Sequence, residues 1–275
     1  MIIAIASGKG GTGKTTLSVS LALAAKNEAI LVDADVEEPN SNILYSKNIK
    51  KKIIGTTELP VIDPEKCDFC KKCSEFCAFN AIVVLDKLKV FPVKDLCKGC
   101  GGCKIVCPQN AISEADRRIG EIGFSDDGSF IEGRLDIGEA TSTTLIRQLF
   151  EKLPDDKDII VDCPPGAAHP TVESMKMADI VILVTEPTPF GIHDLKEALV
   201  ITRELKKKVF VIVNRSDLGI EKIENEIGGI PIIMSIPFSK EIAFNYSKGT
   251  APYEISDAWA GKFDKLWQDI REMAR

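Results

Sequence analysis

The sequence predicts an α/β fold: a mostly parallel sheet, interrupted by a small inserted α+β domain. Three observations lead there. Through the second half of the chain, β-branched runs alternate with helical stretches, the pattern of parallel strands covered by helices on both faces. A glycine-rich stretch separates the first strand from the first helix, and eight of the nine cysteines crowd between Cys67 and Cys107.

In chain order, residues 1–6 read as a buried strand, 15–26 as a helix and Ala29 to Asp33 as a second strand. From about Pro60 to Ile112 the texture changes to short segments punctuated by Cys, Pro and Gly. Residues 60–112 are therefore expected to be an inserted domain, with 1–59 and 113–275 forming one discontinuous host domain. A hairpin (Arg117 to Phe124, then Ser129 to Leu135) precedes a helix marked by Leu145, Leu149 and Leu153. Strands follow at Asp158 to Asp162, Ile180 to Thr185, Lys208 to Asn214 and Pro231 to Ile236, with helices near 172–178, 190–206 and 219–227. Ser256 to Arg275 places Trp259, Phe263, Leu266, Trp267, Ile270 and Met273 on one helical stripe. Its polar face mixes acids and bases, so the stripe is expected to pack on the domain instead of lying on a membrane.

Composition narrows the function classes. A net charge of −6 leaves no surplus of Lys and Arg for the phosphate contacts of non-specific nucleic-acid binding. No apolar run approaches the roughly 18 residues of a membrane span. The start, Met-Ile-Ile-Ala-Ile-Ala, lacks the basic residues and cleavage site of a secretory signal. The expectation is a cytoplasmic protein without stable membrane association, and in that reducing compartment clustered cysteines point to metal rather than disulfides.

Ser7 to Thr16 reads S-G-K-G-G-T-G-K-T-T and contains G-x-x-x-x-G-K-T at Gly8, Gly13, Lys14 and Thr15. It lies between a strand and a helix, where a phosphate-binding loop must lie. Gly8, Gly10, Gly11, Thr12 and Gly13 supply backbone that can wrap phosphates with its N–H groups, aided by the helix N-terminus. Lys14 is expected to reach the β- and γ-phosphates, Thr15 to bind Mg²⁺ and Thr16 to donate to an α-phosphate oxygen.

Lys9 departs from an ordinary loop of this kind. The run K-G-G-T-G-K-T-T resembles the deviant Walker A signature of the MinD/ParA/Mrp/NifH P-loop ATPases. That resemblance implies a NifH/MinD-like fold, ATP and ADP as ligands with Mg²⁺, and an ATP-dependent homodimer. In it Lys9 would reach across to the other subunit's phosphates and neutralise charge on the γ-phosphoryl group, as an arginine finger does. It also implies that Asp33 and Asp35, in L-V-D-A-D-V-E-E-P-N, are the switch I pair. Asp35 would position the attacking water and Asp33 would support Mg²⁺ through its shell. Asp162, in V-D-C-P-P-G, would be the Walker B carboxylate, and Gly166 would offer a switch II N–H to the γ-phosphate. Asn214 would hydrogen-bond adenine, with Arg215 and Ile236-Pro237-Phe238 flanking the pocket. The catalytic set is then Lys9, Lys14, Asp35 and Asp162. Cys163, the ninth cysteine, reads as a core residue.

Cys67, Cys70, Cys73 and Cys77 follow C-x₂-C-x₂-C-x₃-C, and Cys97, Cys100, Cys103 and Cys107 repeat it, followed by Pro108. This is the bacterial two-cluster ferredoxin signature, and zinc modules, which use separated pairs, are disfavoured. In such a module the fourth cysteine of each run serves the other cluster. Cys67, Cys70, Cys73 and Cys107 are therefore expected to hold one [4Fe–4S] cluster, and Cys97, Cys100, Cys103 and Cys77 the second. Ala78 stands where the motif's proline would follow Cys77. The whole chain thus resembles MinD-superfamily ATPases that contain a ferredoxin domain inserted after the second strand and its switch loop. Three functions follow from that resemblance: an ATPase whose nucleotide state gates electron transfer to a redox partner, an Mrp-type cluster carrier serving an iron–sulfur acceptor protein, and a positional regulator like MinD or ParA. Mrp proteins hold their cluster on a C-terminal C-x-x-C, which is absent after Cys163.

Overall fold

The computed structural model describes residues 1–274. Its elements are β1 (Ile2–Ala6), α1 (Lys14–Ala25), β2 (Ala29–Asp33), α2 (Ser41–Tyr45), β3 (Ile49–Ile62), α3 (Lys72–Phe76), β4 (Ile82–Leu85), β5 (Lys89–Pro92), α4 (Gly102–Ile105), β6 (Ile112–Ser125) and β7 (Phe130–Leu135). There follow α5 (Ser142–Phe150), β8 (Asp158–Asp162), α6 (His169–Met177), β9 (Ile180–Thr185), α7 (Pro189–Glu204), β10 (Lys208–Asn214), α8 (Glu221–Glu224), β11 (Ile232–Ile236), α9 (Lys240–Tyr246), α10 (Pro252–Ile255) and α11 (Asp257–Ala274). The chain divides into two compact units: residues 1–52, 122–134 and 146 onward, and residues 53–121 with 135–145.

In the first unit the apolar runs make strands because both faces of the sheet are covered, so every side chain of β2 and β9 is buried. Strand order is β11-β10-β9-β1-β8-β2-β7-β6-β3. The pairs from β11 through β7 are all parallel, with Ile5 opposite Asp162 and Asp33 also opposite Asp162. β1 sits at the switch point of the order, with β8 on one side and β9 on the other. Loops after β1, β2 and β8 therefore converge at the carboxyl ends of adjacent strands, the place where such sheets bind ligands.

α1 is buried on most of its surface, with Leu17, Val19, Leu21 and Ala22 in the core. It stops where Lys26 takes a positive φ of 52°. α11 lays Trp259, Phe263, Leu266, Trp267 and Ile270 into the same core cluster, with Met273 partly buried against it. Trp267 Nε1 donates to Glu28 Oε2 at 3.0 Å, so its polar edge is satisfied.

Several elements differ from the sequence expectations. The helix near 219–227 shrinks to α8, Glu221–Glu224, because Gly219, Gly228 and Gly229 bracket it with positive φ values. The helix carrying Leu145 and Leu149 ends at Phe150, before Leu153, as Pro154 approaches. β3 (Ile49–Ile62) is a long strand, and α2, α9 and α10 are additional short helices.

The second unit is wider than residues 60–112. It takes in Ile53–Glu121 and Leu135–Leu145, because β3 and β6 extend past the cysteine segment and residues 135–145 are tied to β6. Arg118 Nε donates to Asp136 Oδ2 at 2.8 Å, and the N–H of Asp136 donates to the carbonyl of Ile119 at 2.9 Å. Its cysteine segment is a duplication with a 30-residue offset. Asn80 and Asn110 donate to the carbonyls of Cys77 and Cys107, and Cys67 and Cys97 to those of Asp63 and Val93. Phe69, Lys71 and Asn80 take positive φ, as do their counterparts Gly99, Gly101 and Asn110. β4 and β5 pair antiparallel between the two repeats.

Candidate functional site

The loop after β1 is closed tightly against its neighbours. A Cβ on Gly8 would lie 2.3 Å from the Asp194 Cβ, and one on Gly13, already at φ +94°, would lie 2.8 Å from Asn214 Nδ2. The α1 ladder starts at Gly13, whose carbonyl accepts from the N–H of Leu17 at 3.0 Å. The first N–H groups of α1 are thereby left facing the loop. A cavity of about 450 Å³ opens there. Gly10, Gly11, Gly13, Lys14, Thr15 and Thr16 line it, together with Asp35 and Asn40 and with Asn214, Arg215, Pro237 and Phe238.

Three carboxylates stand at this end of the sheet. Asp162, at the end of β8, is buried and accepts from Ser18 Oγ at 3.2 Å and Ser41 Oγ at 2.9 Å. Burial pushes its pKa up, against hydrogen bonds from Thr15, Ser41 and Ser18 and the charge of Lys14. Asp33 accepts from the N–H groups of Asp35 (3.1 Å), Asn40 and Ser41 (both 2.9 Å). Its oxygens thus clasp the loop after β2. Burial and then Asp162 raise its pKa well above the carboxylate range. Asp35 is pushed up to about 6, by burial first and Asp162 second. Three acids that oppose one another's ionisation leave this end of the sheet in need of a cation. Lys14, buried beside them, supplies one charge and lowers the pKa of both Asp35 and Asp162.

Other expected residues are engaged within the chain. The N–H of Gly166 donates to the Ser7 carbonyl at 3.0 Å. Asn214 donates from Nδ2 to the Thr12 carbonyl at 2.9 Å and accepts from the N–H of Arg215 at Oδ1. Lys9 forms an ion pair with the buried Glu186, which also pairs with Arg215 at 3.1 Å. Thr12 Oγ1 is buried without a hydrogen-bond partner. Sequence reasoning missed Ser18, Ser41 and Glu186. Nothing local marks them, since their partners lie more than a hundred residues away.

The Asp35 titration has a stability consequence. A carboxyl near 3.9 in the unfolded chain and about 6 when folded stabilises below about pH 4, and that contribution is lost as pH rises through 6. Asp35→Asn is therefore expected to stabilise the nucleotide-free protein by about 1 kcal/mol at neutral pH, a figure discounted because the group is only half-buried. Denaturant midpoints at about pH 4 and 7.5 check this. An equal gain at both would show that ionisation is not the cause.

In the second unit the structure gathers the eight cysteines into two sets of four. Cys67, Cys70, Cys73 and Cys107 line a narrow cavity of about 20 Å³, and Cys77, Cys97, Cys100 and Cys103 one of about 170 Å³. The fourth cysteine of each repeat lies in the other repeat's cavity. The N–H of Ala81 donates to Cys77 Sγ and that of Ala111 to Cys107 Sγ, both at 3.3 Å. Burial raises the Cys103 thiol to about 11 and also pushes Cys73 up. Cys163 is buried at the end of β8, with its thiol pushed up by burial. Among the described residues, no three His, Cys, Asp or Glu side chains converge closely enough to hold a metal ion by themselves. No helix is long and apolar enough to cross a membrane, again among the described residues.

Residues 3–253 match the model of the CobQ/CobB/MinD/ParA nucleotide binding domain. The uncharacterized protein MJ0579 of Methanocaldococcus jannaschii is 30% identical over 267 residues, covering 94% of this chain and 93% of that protein. Pyruvate synthase subunit PorD of the same organism is 36% identical over 88 residues, covering 31% of this chain and 93% of the subunit. The septum site-determining protein MinD of Pyrococcus horikoshii, solved in complex with Mg-ADP, superposes with a TM-score of 0.57 at 19% identity, over 99% of this chain and 96% of that one.

Proposed function

The chain belongs to the CobQ/CobB/MinD/ParA nucleotide-binding family, and from that premise we propose an ATPase whose nucleotide state gates electron transfer from two [4Fe–4S] clusters to a partner protein. The observation that carries this reading is the gathering of eight cysteines into two cavities, four thiols to each, in the same chain as a complete phosphate loop. The 36% identity to a pyruvate synthase subunit over 88 residues is in keeping with it.

The nucleotide site fits ATP with Mg²⁺ by its donors. Mg²⁺ usually keeps several waters and takes one or two carboxylates plus phosphate oxygens. Thr15 and Asp162 would hold the ion, with Asp33 behind them fixing the loop. Lys14 and the loop N–H groups would bind the phosphates, and Asp35 would orient the attacking water. Gly166 would exchange its bond to Ser7 for the γ-phosphate, and Lys9 would leave Glu186 to act on a second subunit's nucleotide. Asn214, Arg215, Pro237 and Phe238 would enclose the adenine.

The cysteine cavities fit four-thiolate clusters. Each is lined by four cysteines, one of which accepts a backbone N–H at its sulfur. The narrower one would widen by rotation of Cys70, whose side chain is exposed. When bound, each cluster supplies a low-potential one-electron carrier. Exposure of Cys70 and Cys100 also favours a second reading, delivery of a cluster to an acceptor protein. Protein purified without oxygen is expected to hold about eight iron and eight sulfide per chain. Stoichiometric zinc with no absorbance near about 400 nm would refute the cluster reading.

A further inference from the structure

This inference rests on the reading of Lys9 as a residue that acts on a second subunit's nucleotide, and it concerns what restrains Lys9 beforehand. Glu186 directly follows β9 and is buried. The turn it opens is closely packed. A Cβ on Gly191 would lie 2.3 Å from the Glu186 carbonyl, and the N–H of Thr188 donates to that carbonyl at 2.8 Å. The Thr188 hydroxyl caps α7 by accepting from the N–H of Gly191 at 3.0 Å, and it donates to Glu186 Oε1 at 3.3 Å. The carboxylate is therefore held in place by the fold, and the cations come to it.

Two do so, one at each oxygen. Lys9 Nζ pairs with Oε1, and Arg215 Nη1 with Oε2 at 3.1 Å. The side chains of Lys9 and Arg215 are 31% and 47% exposed, against 7% for Glu186, so either cation can leave for water while the carboxylate cannot. The Lys9 backbone is tethered separately, its carbonyl accepting from Ser7 Oγ at 2.6 Å. Only the flexible stem has to swing. A buried carboxylate stripped of its partner is strongly destabilising, but departure of Lys9 leaves Glu186 still paired with Arg215.

We propose that Glu186 is a positioning residue that holds Lys9 back in the single chain and so sets how readily two copies of the chain assemble on ATP, with Arg215 tuning the hold. The triphosphate bound by the second copy is the competing anion. Its larger charge draws Lys9 off a single carboxylate that already has another cation. Loss of either restraint residue then acts with opposite sign. Without the Glu186 carboxylate, Lys9 is free from the outset and assembly tightens. Without the Arg215 guanidinium, departure of Lys9 would strand a buried charge, and assembly weakens. A partly exposed ion pair is worth up to about fivefold in an equilibrium, and a symmetric pair of copies opens two of them, about 25-fold together.

The test is sedimentation equilibrium of the full chain, purified without oxygen, with Mg²⁺ and a non-hydrolysable ATP analogue. Isothermal titration first establishes a saturating analogue concentration for each variant, because Arg215 also lines the nucleotide cavity. Glu186→Gln should tighten the dimer by about 25-fold, and Arg215→Gln should weaken it by about fivefold or more. The double variant Glu186→Gln/Arg215→Gln should match Glu186→Gln, because Arg215 acts through Glu186. A Glu186→Gln dimer no tighter than wild type, or an Arg215→Gln effect that persists in the double variant, would overturn the proposal. Should Glu186→Gln fail to fold, Arg215→Gln alone decides, and assembly as tight as wild type or tighter overturns the restraint. Lys9→Ala serves as the control. If it assembles like wild type, the reading of Lys9 as a residue acting in trans is wrong. If it fails to assemble and Glu186→Gln gains nothing, that reading stands and only the restraint is refuted.

Discussion

Lys14→Ala is expected to weaken ATP binding by about 100-fold or more. Truncating one partner of a buried, hydrogen-bonded charge pair costs about 2–5 kcal/mol, and each 1.4 kcal/mol is tenfold in affinity. The position makes the upper part of that range apply. Lys14 is 7% exposed and opens α1, so water cannot replace its charge at the phosphates. Its loss also removes the cation that lowers the pKa of Asp35 and Asp162, leaving a more negative mouth for an anionic ligand. Alanine suits a helix start, so the fold should survive. Isothermal titration with ATP and Mg²⁺ checks this, and affinity within threefold of wild type would remove Lys14 from the phosphate site.

Lys9→Ala should act differently. Binding should be largely kept, while ATP-induced dimerisation is lost and hydrolysis falls by about 10³-fold, the lower range for a cationic finger supplied in trans. In the single chain Lys9 is paired with Glu186, at the rim of the loop and not among the residues that line the nucleotide cavity. Removing it does not strand that buried carboxylate, because Arg215 also pairs with Glu186. A loss of hydrolysis would therefore report on the second subunit and not on local unfolding. Wild-type turnover by a monomeric variant would end the trans role.

Most of the sheet was legible because its strands are short and apolar. The run I-I-V-D announces β8 and Asp162 together, and A-I-L-V-D does the same for β2 and Asp33. The phosphate loop is legible for a similar reason, since its glycines, lysine and threonines are contiguous. β3 was not read, because Lys50, Lys51 and Lys52 mask its periodicity and the strand crosses from one unit into the other. The extent of the second unit was hidden too. Arg118 and Asp136 are eighteen residues apart, and their pairing leaves no local pattern. The same holds in the nucleotide site, where Ser41 reaches Asp162 across 121 residues and Lys9 reaches Glu186 across 177. Asp33 was legible as a residue but not in its contacts, because the three backbone N–H groups it gathers depend on the course of the loop to Ser41.

In the proposed gating, nucleotide and clusters share one equilibrium, and linkage gives it a direct test. If ATP shifts the reduction equilibrium of the clusters, reduction must shift ATP affinity by the same factor. Asp35→Asn protein, expected to bind ATP and Mg²⁺ while hydrolysing slowly, allows that affinity to be measured at equilibrium without oxygen, once with the clusters oxidised and once reduced. Coupling of about 1–3 kcal/mol makes the two dissociation constants differ by at least about fivefold. Equal constants in the two redox states would show that the two units work independently and that nucleotide does not gate the electrons.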